Sequence, residues 1–324
     1  MSIQLVYPGP EEAMLCLRAM RSAVARADGV PPASRALMEA AKTAILKVDA
    51  DIDTLPAITP PELAAGLRTP GLAEQFVQAM LINVLADGMP DAECMSRVEA
   101  FAAALGITPP ALRTTRLLCE QHMVLFRLDF MRRSHIKDIF VDQYRHHGGI
   151  RGLAAGVLGL RGLHADPELA KRYAALGDLS ADTFGYAYFH HCRDHGFAFP
   201  GEPNGFPEAG AYHDMSHVLS GYGTKPEEEM LVAAFQAGFK RLNPFYVILF
   251  VVFSFSTGVN VTPVEQPHIT GLLAEPGLAA RFIRAVERGS QVNTDLSSGW
   301  DYWPVLELPL AEARRHLNVV PERD

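Results

Sequence analysis

Apolar residues recur at helical spacing through the first 130 residues of the chain. In the segments 11–27, 37–48 and 72–85, large hydrophobic side chains stand three or four positions apart, and the alternation typical of strands is nearly absent. An Asp-Gly pair, at Asp28 and again at Asp87, closes one apolar helix and precedes another. This internal repeat indicates paired helical hairpins, and the sequence predicts a mainly α protein.

The second half of the chain shows the same helical pattern. Amphipathic helices are expected at 212–219, 226–242, 276–288 and 309–317. The Gly148-Gly149 pair is the expected hinge between the halves, because it ends any helix and permits unusual backbone angles. We therefore expect two helical domains, residues 1–145 with the linker and residues 146–324.

One segment, 245–255, is apolar on every side. Its length falls well short of the roughly 20 residues that cross a bilayer. Such a run belongs in a protein core, as a buried helix or a central strand, and the helical surroundings favour the helix. A second interpretation makes it the wall of a groove for a prenyl chain, or a lipid-facing surface.

Composition narrows the class of protein. The chain has 324 residues, of which 48% are hydrophobic and 20% charged, as in ordinary globular proteins. Its net charge of −8 argues against nucleic acid as a partner, because nucleic-acid binders carry basic patches. Four scattered cysteines without a C-x-x-C pair fit reduced thiols, and the first residues lack a secretory signal pattern. We therefore expect a cytoplasmic protein.

The chemistry concentrates in one stretch, His213-Asp214-Met215-Ser216-His217, followed by Glu229. Two histidines four positions apart lie on one face of a helix, close enough to bind a single ion. Glycines then indicate a turn, and a capping box of Thr224 and Glu227 is predicted to open the next helix. Glu229 would lie about one turn into that helix. A tight helix-turn-helix can therefore bring Glu229 to face both histidines.

These donors suit zinc, with iron or manganese as alternatives when oxygen ligands dominate. His213, His217 and Glu229 form the firmer set, because Asp214 lies about 100° around the helix from His213. With Asp214 as a fourth ligand the site would be closed and structural; without it, one position stays open for water or a substrate oxygen. The alternative interpretation is a polar helix end whose histidines cap or hydrogen-bond locally.

A second histidine cluster precedes the first. His191 and His195 have the four-residue spacing, with Cys192 beside them, but Arg193 adds positive charge and no later cysteine or histidine completes a pattern. His190 or His195 could instead orient a ligand of the main site.

The acidic residues near the Asp-Gly turns could bind a hard cation, although turn and cap chemistry explains them better. They are Asp28, Asp87, Asp91 and Glu93.

One motif resembles the zinc signature of the ubiquinone (coenzyme Q) biosynthesis protein Coq-four family. It is His213-Asp214-x-x-His217, followed after eleven residues by Glu229. The segments 179–188, 218–221, 300–303 and 309–317 are similar to that family's flanking and closing segments, and the resemblance covers roughly residues 160 to 320. Members of the family often carry basic residues just before the motif, whereas this chain has Glu208-Ala209-Gly210-Ala211-Tyr212. The N-terminal half resembles tellurite-resistance TerB-like helical domains.

The Coq-four resemblance implies a metal domain in which His213, Asp214, His217 and Glu229 are the ligands. The implied activity is oxidative removal of the carboxyl at C1 of a prenylated benzoate-type head group, with a hydroxyl put in its place. The implied partners are prenylated quinone or lipid, other quinone-biosynthesis proteins and the inner face of the membrane. We also expect a homo-oligomer.

Two other functional classes remain open. One is a non-enzymatic scaffold that binds lipid or quinone and uses zinc only for its fold. The other is a zinc hydrolase similar to the His-Glu-x-x-His proteins, with Asp214 as the base on zinc-bound water. Aspartate is one methylene shorter than the usual glutamate, which makes the hydrolase the weaker alternative.

Overall fold

The computed structural model describes residues 5–134, 137, 165–261 and 268–322. Across these ranges the regular structure consists of fifteen α-helices with short π and 3-10 turns, and extended segments pair only in isolated bridges. The prediction of a mainly α protein is confirmed. The expected hinge at Gly148-Gly149, and with it the boundary near residue 145, lies outside the described residues.

The helices are short and follow one another closely. They are α1 Pro10–Val24, α2 Pro32–Ala41, α3 Pro60–Gly66, α4 Leu72–Leu85, α5 Ala92–Ala104, α6 Pro110–Cys119, α7 Met123–Met131, α8 Pro167–Ala174, α9 Phe184–Asp194, α10 Tyr212–Ser220, α11 Pro226–Phe239, α12 Phe245–Phe255, α13 Leu278–Ser290, α14 Trp303–Leu306 and α15 Leu310–His316. Proline opens several of them, where its missing N–H costs no helical hydrogen bond. Within the described ranges, none is long and apolar enough to cross a membrane.

Contacts divide the chain into two compact units that are not consecutive in sequence. One contains Gln4–Arg133 and Phe245–Glu287, and the other contains Met1–Ile3, Ser134–Pro244 and Arg288–Asp324. The sequence predicted two consecutive domains. In the structure, Phe245–Glu287 belongs to the same compact unit as the N-terminal helices.

The acidic residues of the Asp-Gly turns act as helix caps in the first of these units. Asp87 accepts hydrogen bonds from the backbone amides of Ala33 and Ser34, each at 2.7 Å, in the first turn of α2. Asp91 is the N-cap of α5 and accepts a hydrogen bond from the amide of Cys94 at 2.7 Å. The capping interpretation is therefore confirmed for both residues.

The apolar segment 245–255 forms helix α12 in the core of the same unit. Ten of its eleven residues are buried. Phe253 packs edge-on against Phe126 and Phe130 of α7, with ring centroids 5.0 and 5.7 Å apart. The hydroxyl of Tyr246 lies 3.0 Å from that of Thr114, so this buried hydroxyl has a hydrogen-bond partner. The prediction of a buried helix is confirmed, and the prenyl groove stays a prediction.

The second unit carries the histidine motif on α10, which packs against α9 and α11. The start of α9 is tied to the closing segment by two backbone bonds of 2.8 Å, from Phe184 N–H to the Leu308 carbonyl and from Leu310 N–H to the Asp182 carbonyl. Tyr302 donates its hydroxyl to Glu208 at 2.8 Å. Two segments that resemble the Coq-four family, near residues 180 and 310, are therefore neighbours in space.

Candidate metal centre

Helix α10 is anchored at its C-terminal end by two arginines. Gly221 ends the helix in the left-handed conformation, with φ of 83°. Arg314 donates to the carbonyl oxygens of residues 218 and 219, and Arg288 donates to that of residue 220, each at 2.9 Å. These carbonyls have no partner within the helix, and the helix dipole favours cations there. The two guanidinium groups therefore fix the helix that carries both histidines of the motif.

Helix α11 begins after a tight turn and carries acidic residues in its first turn. Its N-cap is Lys225, which takes the extended backbone of a cap with φ −73° and ψ 157°. The capping box predicted one residue earlier, at Thr224, is therefore wrong. Instead, Glu228 accepts a hydrogen bond from the amide of Gly223 at 3.2 Å. Glu229 lies in the first turn of α11, as predicted.

His213, His217 and Glu229 converge on one small space. The Nε2 atoms of the two histidines are 3.4 Å apart. The Glu229 carboxylate lies 3.4 Å from His213 Nε2 through Oε2, and 3.5 Å from His217 Nε2 through Oε1. Ligand atoms about 2.1 Å from zinc at tetrahedral angles lie about 3.4 Å from each other. The two imidazole nitrogens have this spacing, and Glu229 offers each of them a carboxylate oxygen at a similar distance, so the three side chains could bind one ion.

Hydrogen bonds on the far side of each ring orient the two histidines. His217 Nδ1 lies 3.2 Å from the carbonyl oxygen of Tyr222. Because a carbonyl can only accept, Nδ1 carries the proton and Nε2 keeps its lone pair. The side-chain amide of Gln236 lies 3.1 Å from His213 Nδ1, and it can turn its oxygen to accept a proton there. Both Nε2 atoms are thereby available as ligands, the arrangement that metal-binding histidines require.

The His213–Glu229 pair shifts the pKa of both members. Burial opposes the charged imidazole of His213, but the hydrogen bond and charge of Glu229 outweigh it and raise the pKa to about 9. Burial likewise opposes the Glu229 carboxylate, and the two histidines nevertheless hold its pKa well below the ordinary range. A bound cation would take the place of the His213 proton, since a ligating histidine must be neutral.

The three donors differ in their exposure to solvent. The side chain of His217 is only 1% exposed, whereas those of Glu229 and His213 are 26% and 43% exposed. The site is therefore closed around His217 and open beside His213. An open side leaves room for water or a substrate oxygen, which is the feature that separates catalytic from structural zinc sites.

Asp214, the fourth predicted ligand, belongs to a different group of donors. Ligand atoms of Asp214, His217 and His191 lie within 4.8 Å of one another, and so do those of His213, His217 and Glu229. Burial raises the pKa of Asp214, against the effect of the two histidines of its own helix. The structure thus groups Asp214 with His191 and His217. Its place in the ligand set of the main site stays a prediction.

His191 is the residue whose role the sequence did not indicate. Its ring stacks on that of His217, with centroids 5.1 Å apart and an interplanar angle of 23°. Burial, followed by the neighbouring histidines, lowers the pKa of His191 to about 4, so the ring is neutral at pH 7. The sequence marked His191 as a candidate ligand only through its four-residue spacing from His195. Its grouping with Asp214 has no sequence signal, because Asp214 lies on another helix at no fixed spacing.

The remaining members of the second histidine cluster do not form a ligand set with His191. Burial, followed by the charge of Asp214, raises the pKa of the Cys192 thiol to about 12, and a protonated thiol is a poor ligand. His195 is exposed, and its Nδ1 lies 2.7 Å from a carbonyl oxygen of its own helix. Arg193 forms a two-pronged ion pair with Glu202 at 2.6 and 2.8 Å.

Comparison with known proteins gives weak similarity. No family model matches the chain, and no curated protein matches it. The crystal structure of a proposed ubiquinone biosynthesis protein from Nostoc punctiforme aligns with 78% of this chain and 99% of that chain, at 14% sequence identity and a TM-score of 0.32. At this TM-score the alignment does not establish a shared fold. The resemblance to the Coq-four family therefore depends on the sequence motifs.

Proposed function

We propose that the chain is a metal-dependent protein of ubiquinone biosynthesis, with His213, His217 and Glu229 as ligands of one divalent ion. The observation that carries the proposal is the spacing of these donors, 3.4 to 3.5 Å across two helices with one side open. Histidines that only capped a helix end would not need a carboxylate of the next helix to face the same point. Asp214 is the fourth ligand that the sequence motif proposes.

Zinc is the first candidate for the ion, with iron or manganese as alternatives. Two histidines and one carboxylate occur in catalytic zinc sites and also in iron(II) oxygenases. The bound ion would supply a Lewis acid for a carboxylate or phenolic oxygen. Because zinc has no redox chemistry, an oxidative reaction favours iron or manganese in the same donor set, or requires a separate oxidant.

The proposed substrate is a prenylated benzoate-type or quinone head group, and the proposed reaction is oxidative decarboxylation at C1. The bond between C1 and the carboxyl carbon breaks, carbon dioxide leaves, and C1 gains one atom of dioxygen as a hydroxyl. The other oxygen atom is reduced to water by two electrons from a separate reductant. The open side beside His213 would admit the head group.

Contact with lipid is proposed for helix α7, because it presents apolar side chains to solvent. Val124, Leu125, Leu128 and Met131 are 72%, 54%, 60% and 40% exposed, and their spacing puts them on one side of the helix. Two exposed arginines of the same segment, Arg127 and Arg132, lie beside this face. In a chain of net charge −8, an apolar face with an arginine border fits the surface of an anionic bilayer.

The alternatives differ from this proposal in measurable ways. A scaffold with structural zinc would copurify with lipid or quinone and show no turnover, and a zinc hydrolase would cleave esters or peptides. Assembly with other quinone-biosynthesis proteins and a homo-oligomeric state remain predictions of the sequence.

The direct test supplies the protein with iron(II), manganese(II) or zinc(II). It then offers a prenylated hydroxybenzoate labelled in its carboxyl group, with dioxygen and a two-electron reductant present. Release of labelled carbon dioxide together with the C1-hydroxylated product is expected with wild type and not with His217→Ala. Tight binding of the head group without any release, under every metal, would favour the scaffold instead.

A further inference from the structure

The candidate metal centre contains a second set of donors. Besides the three residues described above, ligand atoms of His191, Asp214 and His217 lie within 4.8 Å of one another. Two of these residues come from α10 and one from α9, so the arrangement is produced by the packing of two helices. Two imidazoles and one carboxylate are again the donors that zinc and iron accept.

His217 belongs to both sets, and this limits how they can be used. Its Nδ1–H is directed at the Tyr222 carbonyl oxygen, 3.2 Å away. Only the Nε2 lone pair is left, and one lone pair binds one cation. The two sets therefore cannot each hold a cation through His217 at the same moment.

The environment of the His191 ring favours a role as a metal ligand. Its Nε2 atom is buried and has no hydrogen-bond partner among the residues that the structure describes. A buried polar atom without a partner costs about 1 to 3 kcal/mol, so such atoms in a folded protein call for an explanation. The stacking of His191 on His217, at 5.1 Å between centroids, holds this nitrogen beside the centre.

We propose that His191, Asp214 and His217 form a second coordination position for a divalent cation, occupied in alternation with the position formed by His213, His217 and Glu229. The cation keeps His217 as its common ligand in both positions. This inference rests on the proposed function only in requiring that the centre bind a divalent cation. It assigns to His191 a role that the sequence motif does not contain.

The test measures zinc affinity by competition with a chromophoric chelator, using the full-length chain. Glu229→Ala removes a donor from the first position only, so zinc binding persists, weaker than in wild type. Adding His191→Phe keeps an aromatic ring against His217 but removes both nitrogens, and it lowers the remaining affinity at least about tenfold, which is about 1.4 kcal/mol. His190→Phe in the Glu229→Ala chain is the control, because the His190 side chain is 44% exposed on the same helix and lies 3.8 Å from Asp194.

A second measurement does not depend on the folding of the double variant. In the Glu229→Ala chain, imidazole nitrogen NMR should show zinc-dependent shifts at His191 and His217, and His213 should be unaffected. Equal affinity with and without His191→Phe, or zinc shifts confined to His213 and His217, would overturn the inference. Wild-type protein that binds no zinc, iron or manganese would overturn the proposed function itself, so the two failures are distinguishable.

Discussion

His217 donates its Nδ1–H to the carbonyl oxygen of Tyr222 across 3.2 Å. Tyr222 follows Gly221, the residue that ends α10, so one turn fixes both the end of the helix and the orientation of the ring. A backbone carbonyl cannot donate, and it therefore holds the imidazole in the tautomer whose Nε2 is free. This relationship makes His217 the ligand best prepared for a cation.

Gln236 should support His213 in the same way. Replacing it with leucine removes the polar partner of His213 Nδ1, 3.1 Å away, and should weaken metal affinity by about 10- to 100-fold. Gln236→Glu should keep the affinity, because a carboxylate also accepts the Nδ1 proton. Chelator competition measures both variants. Equal affinities for the leucine and glutamate variants would show that Gln236 does not orient the ring.

Arg314 should contribute to stability by satisfying the end of α10. Arg314→Met keeps much of the side-chain volume but leaves two carbonyl oxygens, of residues 218 and 219, without their donor. We expect a loss of about 1 to 3 kcal/mol in the free energy of unfolding, measured by urea denaturation. The neighbouring Arg315 is exposed, and Arg315→Met should change stability by less than about 0.5 kcal/mol. Similar losses in both variants would contradict this assignment.

Glu12 should make stability depend on pH. Its carboxylate accepts hydrogen bonds from the Thr69 hydroxyl and from the amides of Arg68 and Thr69, and these lower its pKa from 4.5 to about 2. The unfolded chain therefore takes up this proton first as the pH falls. The contribution is full above pH 4.5 and is lost as the pH drops toward 2. Wild type should lose more stability than Glu12→Gln over this interval. If the urea midpoints of the two proteins changed equally with pH, the prediction would be contradicted.

The exposed face of α7 should bind anionic lipid. Leu125→Gln with Leu128→Gln should reduce cosedimentation with vesicles that contain an anionic phospholipid, and added salt should weaken the wild-type binding because arginines contribute. Leu242→Gln is the control, since Leu242 is 58% exposed and lies outside this face. Unchanged vesicle binding in the double variant would remove α7 as the contact surface. Self-association through the same face would instead appear as a change in oligomeric state.

The apolar pattern was sufficient to predict that 245–255 is buried, because a run that is apolar on all sides has no solvent-facing side. The choice of helix over strand depended on the helical segments around it. It could not indicate that Phe253 packs on Phe126 and Phe130, since periodicity carries no information about contacts between residues so far apart in the chain. The division into compact units follows from such contacts. For this reason the expectation of two consecutive domains differs from the structure.

The candidate site likewise has features that the sequence predicts and features that it does not. The four-residue spacing of His213 and His217 and the short turn before Glu229 are local features, and the convergence of these residues was predictable from them. The grouping of Asp214 with His191 depends on how α9 packs against α10, which local spacing does not fix. The capping box at Thr224 failed for a local reason, because the cap conformation falls on Lys225 instead.

The most direct test of the central claim is the metal content of the full-length chain purified without chelators. We expect about one divalent ion per chain, zinc or else iron or manganese, and almost none in His217→Ala, since His217 supplies the ligand common to both coordination positions. His190→Ala, altered at a half-exposed histidine of α9 that lies 3.8 Å from Asp194, should retain the full equivalent. Wild-type protein that stays free of metal when these ions are supplied, or His217→Ala that retains a full equivalent, would contradict the account.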